Sequence, residues 1–165
     1  FDVVHAACSD KDEYSQLLMH DPPFAGQTKN SFNTRKNYEE RGGRDRSKIL
    51  LKQWIKSISI DALIYKYKFQ KPNYIKIDVD GYEEAVIKGA MRAIKNKIVL
   101  SWCIEITGQK RIENITKIMK KNGYSCVAEW NHYPEYTGIK TVDRIFIIKE
   151  RQNKWQNFLK KIKIK

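Results

Sequence analysis

Apolar and polar positions follow two rhythms along this chain. Runs rich in β-branched and aromatic residues, the mark of strands, fall at residues 2–8 (DVVHAAC), 74–79 (YIKIDV), 98–106 (IVLSWCIEI), 124–130 (YSCVAEW) and 144–149 (RIFIIK). Between the second and third, Tyr82, Val86, Ala90 and Ile94 recur every fourth residue beside Ile87 and Met91, which predicts an amphipathic helix over 82–95. Between the third and fourth, Ile112, Ile115 and Met119 share one face of a helix over 109–121, which Asn122-Gly123 stops. Strands separated by such helices need crossover connections, and crossovers make parallel pairs. The near-continuous apolar run 98–104 reads as a strand covered on both faces. The last two strands are joined by NHYPEYTGIKTVD, which has no helical period, so they are expected as an antiparallel pair at the sheet edge. The pattern predicts an α/β, doubly wound fold, mostly parallel with an antiparallel C-terminal edge.

Residues 20–48 break both rhythms. They open HDPPFAGQTKNSF, are rich in Pro, Gly and Asn, and read as one long loop to which Phe24 and Phe32 give something to dock with. SISIDALIYKY (57–67) then reads as a short strand turning into one or two helical turns before Pro72.

Composition supports a single core. With 165 residues, 41% of them hydrophobic, the chain has apolar material for one ordinary domain, here 1–150, followed by a tail at 151–165. No run approaches the roughly 18 apolar residues of a spanning helix, and the first residues lack the order of a secretory leader. Cys8, Cys103 and Cys126 form no CxxC pair, as suits a reducing, cytoplasmic setting. The net charge of +13 is uneven: the last fifteen residues carry six positive and no negative side chains, leaving 26 Lys and Arg against 19 acids elsewhere. That tail, with Trp155, Phe158 and Leu159 interleaved, suits either a solvated terminal helix or weak contact with an anionic membrane surface.

The candidate chemistry centres on IKIDVDGYEEAVIKGA (75–90). Asp80 and Glu83 stand in the spacing of a capping box, so Asp80 is expected to start the helix. Asp78 is not explained by capping; it ends a strand, where open α/β sheets bind ligands. A second reading takes Asp78-x-Asp80 as a metal-binding DxD of a nucleotide-sugar transferase. An EF-hand is excluded for want of further oxygen ligands.

The run PNYIKIDVDGYEEAVIKGAMRAI followed by IVLSWCIEI resembles the FkbM family of S-adenosylmethionine-dependent methyltransferases, whose hallmark is a strand ending K-I-D-V-E-G and a helix carrying V-L/I-K-G-A. VVHAACSDKDEYSQLL is similar to that family's strand ending A-x-S-D-x-x-G, NSF lies where G-x-S-S-L is usual, and SISIDALI resembles its T-L-D-x-L element. These matches cover residues 1 to about 106. Asp80 replaces the usual Glu, and Glu13 stands near the usual Gly. The family's opening strand, its glycine-rich turn and the strand that follows have no counterpart, and the chain starts at Phe1, so the resemblance implies a Rossmann-like class I methyltransferase sheet that is N-terminally truncated to the C-terminal two thirds of the domain.

The resemblance also implies roles. Cys8, Ser9 and Asp10 would face the adenine of S-adenosylmethionine, with Asp10 accepting from its exocyclic amine. Asp78 would lie near the methionine moiety and the acceptor, with Glu105 facing the same cleft. Either could take a hydroxyl proton during methyl transfer. His132, in the late loop, is an acceptor-side candidate. No metal is implied. The implied activity is O-methylation of a hydroxyl on a sugar, glycan or secondary metabolite. A DxD-dependent glycosyltransferase and a non-catalytic basic module binding nucleic acid through 35–56 and the tail remain as alternatives. HDPPF (20–24) matches the D-P-P-Y/F motif of DNA amino-methyltransferases, but YSQLLM is a marginal strand and no cofactor turn flanks it.

Overall fold

A computed structural model describes residues 3–20, 31–32, 49–79, 81–132, 140–153 and 157. The expected cap at Asp80, the DPPF segment, and most of the 20–48 loop and of the tail lie outside them.

The described strands form two four-stranded sheets. The first contains β1 (Ala7–Cys8), β2 (Tyr14–His20), β3 (Ser31–Phe32) and β4 (Ile49–Ile58), in the order β1-β4-β2-β3. The second contains β5 (Tyr74–Ile77), β6 (Ser101–Thr107), β7 (Tyr124–His132) and β8 (Thr141–Ile148), in the order β5-β6-β8-β7. Helices α1 (Glu83–Lys88), α2 (Met91–Lys95) and α3 (Gln109–Lys121) connect the strands of the second sheet. The fold is mixed α/β, as expected, and the antiparallel edge of β7 and β8 is present.

Several expectations need correction. Among the described pairings only β1–β4 and β5–β6 are parallel; β2–β3, β2–β4, β6–β8 and β7–β8 run antiparallel, so the sheets are not mostly parallel. The cause is connection type, because α-helices bridge β5 to β6 and β6 to β7, whereas β8 inserts between β6 and β7 antiparallel to both. Strand β6 is not covered on both faces: Trp102, Ile104 and Ile106 are fully buried while Ser101, Cys103, Glu105 and Thr107 alternate with them, part-exposed. Residues 14–20, only marginally strand-like by pattern, form β2, and Ser31–Phe32 pairs with it inside the expected loop.

The core lies between the second sheet and its helices. Ile77, Trp102, Ile104, Ile106, Val142 and Phe146 from the strands meet Val86, Ile87, Ala93 and Ile94 from α1 and α2 and Ile112, Ile115 and Met119 from α3. Each of these side chains larger than alanine contributes about 1.5–3 kcal/mol through burial. Tyr124 is buried there too, and its hydroxyl finds the partner it needs by donating to the Val99 carbonyl at 2.7 Å. Helix α3 runs as the periodicity predicts and ends at Gly123, whose φ of +84° suits glycine.

The predicted helix over 82–95 is instead two short helices broken at Gly89–Ala90. Two long-range contacts account for the break. A Cβ at Gly89 would stand 2.2 Å from the Ser9 carbonyl oxygen, so the β1 end packs directly on the glycine backbone. Asp61, after β4, then caps α2: its carboxylate accepts from the N–H groups of Arg92 and Ala93, both at 2.8 Å, while its own N–H donates to the Gly89 carbonyl at 2.9 Å. The chain at 62–66 forms the expected helical turn, of π type.

Candidate functional site

Three sequence-predicted residues leave the end of β1. Cys8 is the last residue of that strand, half-buried, and burial pushes its thiol up to about 11, so it is a neutral, weakly polar wall. Ser9 is buried; its N–H donates to the Ile58 carbonyl and its hydroxyl to Asp10 Oδ1 at 3.3 Å. Asp10 Oδ2 accepts from Lys88 Nζ at 2.7 Å, and this lysine holds the Asp10 carboxyl below the usual carboxylate range. Lys88 is raised in turn by Asp10. The pair joins the end of β1 to α1, on the residue before the close-packed Gly89.

The second group lies at the carboxyl end of β5 and β6. Asp78 follows β5 and pairs with Lys76 two residues back, Nζ to Oδ2 at 2.8 Å, on the same strand face. Lys76 is raised chiefly by this bond to Asp78, and Asp143 adds to it. Lys76 is level with Cys103 on β6, so continuing the register by two residues sets Asp78 level with Glu105. Glu105 is in turn opposite Asp143 on β8. Three carboxylates and a lysine thus share the part-exposed face of the second sheet, opposite the helices. Burial pushes the Cys103 thiol up on this face.

Cys8 of the first group and Lys76 of the second line a cavity of about 340 Å³, whose lining does not include Ser9, Asp10, Asp78 or Glu105. Val4 and Cys8 line it from the β1 side, Ile60, Ile64 and Phe69 from the turn after β4, and Ile75, Ile77 and Val79 from β5. Among the described residues β1 and β5 are both terminal strands of their sheets, and residues of both line this space. His132 is not brought in. It ends β7 rather than lying in a loop, and pairs with Thr141, which pairs with Thr107. That places it two strands from β6, roughly 10 Å away along the hydrogen-bonding direction.

Residues 2–126 match the Methyltransferase FkbM domain family. The chain belongs to the FkbM methyltransferase family. Over 99 residues, 60% of this chain, it is 32% identical to the hexuronic acid methyltransferase AglP of Haloferax volcanii. The chain spans 37% of the length of that relative. No solved structure gives a significant match. No described helix is long and apolar enough to cross a membrane.

Sequence reasoning missed Lys88, Asp61, Lys76 and Asp143 as partners of the site. Lys88-Gly89 was legible only as part of the K-G-A hallmark, and the Glu105–Asp143 pairing depends on a register no local pattern carries.

Proposed function

We propose that this chain is the greater part of a methyltransferase domain that moves a methyl group from S-adenosylmethionine to a hydroxyl of a sugar, glycan or secondary metabolite. The observation that carries the reading is the convergence of the β1 end and the hallmark strand β5 on one cavity, in a chain of the FkbM family. The name of the Haloferax volcanii relative directs the acceptor toward a sugar acid or a glycan that contains one.

The residues present fit the cofactor. Asp10 is held ionised by Lys88, and a carboxylate has acceptor sites beyond the two already used, so it suits an exocyclic amine. Cys8, protonated and half-buried beside apolar residues, suits the flat face of a base. Ser9 acts by holding Asp10, because its own polar atoms are taken up inside the chain. When bound, S-adenosylmethionine supplies an electrophilic methyl group on a sulfonium. The protein's task is then to position the acceptor and accept its proton. Asp78 and Glu105 are the groups proposed for this, with Lys76 paired to Asp78 at 2.8 Å.

The open edges of β1 and β5 suit further parallel strands between them, and we place there the opening strand and glycine-rich turn that the family resemblance implies. Fusing such a segment ahead of Phe1 should produce calorimetric binding of S-adenosylmethionine that Asp10→Ala weakens. Absence of binding by the extended protein would falsify the reading. The protein's setting is proposed as cytoplasmic.

A further inference from the structure

The first sheet has a face for which the reaction has no use. In the β2–β4 ladder, Tyr14 is opposite Lys56, Gln16 opposite Trp54 and Leu18 opposite Lys52, and directly opposed residues project to the same side. That side carries Tyr14 at 71% exposure and Trp54 at 66%, with Lys52 and Lys56 also exposed, while Leu18 on it is buried. Tyr14 and Trp54 are diagonal neighbours, within the roughly 7–8 Å reach of cross-strand aromatic pairs. Tyr67 adjoins them: Lys56 Nζ stands 3.4 Å from its hydroxyl and 5.5 Å from its ring centre, and Lys66 Nζ is 5.1 Å from the same centre. Lys56 and Lys66 together lower the Tyr67 phenol, as a locally positive surface should. Of the nearby acids, Asp12 is paired with Lys66 at 3.3 Å, and Glu13 is exposed directly before Tyr14.

A tryptophan and two tyrosines left in water beside lysines mark a recognition surface more than a packing residue does. Flat aromatic faces match the C–H faces of pyranose rings, Gln16 offers both a donor and an acceptor to hydroxyls, and the ammonium groups suit carboxylates. The face also begins beside the candidate site. Tyr14 and Lys56 lie next to the Cys8–Ile58 pairing from which Ser9 and Asp10 emerge, and Trp54 and Lys52 lead away from it along β4. We propose that this face binds the chain of a uronic-acid-containing glycan, its rings on Tyr14 and Trp54 and its carboxylates on Lys52 and Lys56. The assignment rests on the methyltransferase reading for its link to the reaction and deepens it by naming an anionic glycan as acceptor.

The test is titration of the full-length protein, by calorimetry and tryptophan fluorescence, with tetragalacturonate, with neutral maltotetraose, with an oligodeoxythymidylate and, separately, with S-adenosylmethionine. Tetragalacturonate should bind best and more weakly as salt is raised. Trp54→Ala and Tyr14→Ala, both at exposed positions, should each lower its affinity about ten-fold. Lys52→Gln with Lys56→Gln should flatten the salt dependence, and none of these variants should change the affinity for S-adenosylmethionine. Equal binding of maltotetraose, preference for the oligonucleotide, or unchanged affinity in the variants would overturn the assignment. Binding of tetragalacturonate without S-adenosylmethionine would sink the methyl-transfer reading and leave the glycan surface standing; the reverse result would do the opposite.

Discussion

Gly89 and Ser9 touch backbone to backbone: a Cβ at Gly89 would lie 2.2 Å from the Ser9 carbonyl oxygen and 2.9 Å from Asp10 Cα. Neither neighbour is a flexible side-chain end that can move aside. Gly89→Ala should therefore cost about 1–3 kcal/mol of stability, read as a lowered Tm or denaturation midpoint, and should also weaken S-adenosylmethionine binding by displacing Asp10. Unchanged stability in the alanine variant would mean that β1 does not dock on α1 in this way.

The cap supplied by Asp61 makes a separable prediction. Asp61→Ala removes the acceptor of two helix N–H groups and should destabilise by about 1–2 kcal/mol, with faster amide exchange at Arg92 and Ala93. Asp61→Asn keeps one acceptor oxygen and should cost less. Equal losses would argue against a capping role.

The Asp10–Lys88 pair sets a pH dependence. The folded carboxyl is depressed, chiefly by Lys88, so its contribution to stability is complete above the unfolded value of about 4 and disappears as pH falls through the lower folded value. Asp10→Asn should flatten the stability profile in that acid window and leave the profile between pH 6 and 8 parallel to that of the parent protein. A variant with the parent's acid limb would remove the pair from the account.

Cys8 offers a chemical check. With its thiol pushed up to about 11, little thiolate exists near neutrality, and iodoacetamide should alkylate it far more slowly than a free cysteine peptide at pH 8. Denaturation should abolish the difference. Rapid labelling of Cys8 in the native protein would contradict its place against the cavity.

For the proposed proton transfer, Asp78→Asn and Glu105→Gln in the N-terminally extended protein of the proposal separate two roles. The residue that accepts the proton should lose about 10²–10⁴ in kcat with cofactor affinity retained, and the other should change kcat far less. Comparable small losses in both would place the base elsewhere.

The sequence pattern carried the second sheet well, because β5, β6, α3, β7 and β8 are built from neighbours whose apolar spacing survives in the fold. It failed where a distant segment decided. The single helix over 82–95 has an unbroken four-residue period, yet Asp61 and Ser9, far away in sequence, divide it. Strand β2 was obscured because Leu17 and Leu18 adjoin and break the alternation. Only the last residues of β4 carry a strand pattern, since Leu51 and Trp54 are exposed on it and so blur the pattern of a buried face. In the site, Asp78 and Glu105 were legible as strand-end acids. Their neighbours Lys76 and Asp143 were not, because strand register is a tertiary property.

The salt bridge that ties Asp10 to Lys88 closes a loop of 78 positions, while in the second sheet β7 pairs with the next strand, β5 pairs with β6 across α1 and α2, and β6 pairs with β8 across α3 and β7. Closures of that span are paid in chain entropy before they return any contact energy, so local units gain structure first. On this account the β1 side, the proposed cofactor side, completes last during folding and opens first in the native state. Hydrogen exchange should find the β1–β4 amides protected less than those of β6 and β8.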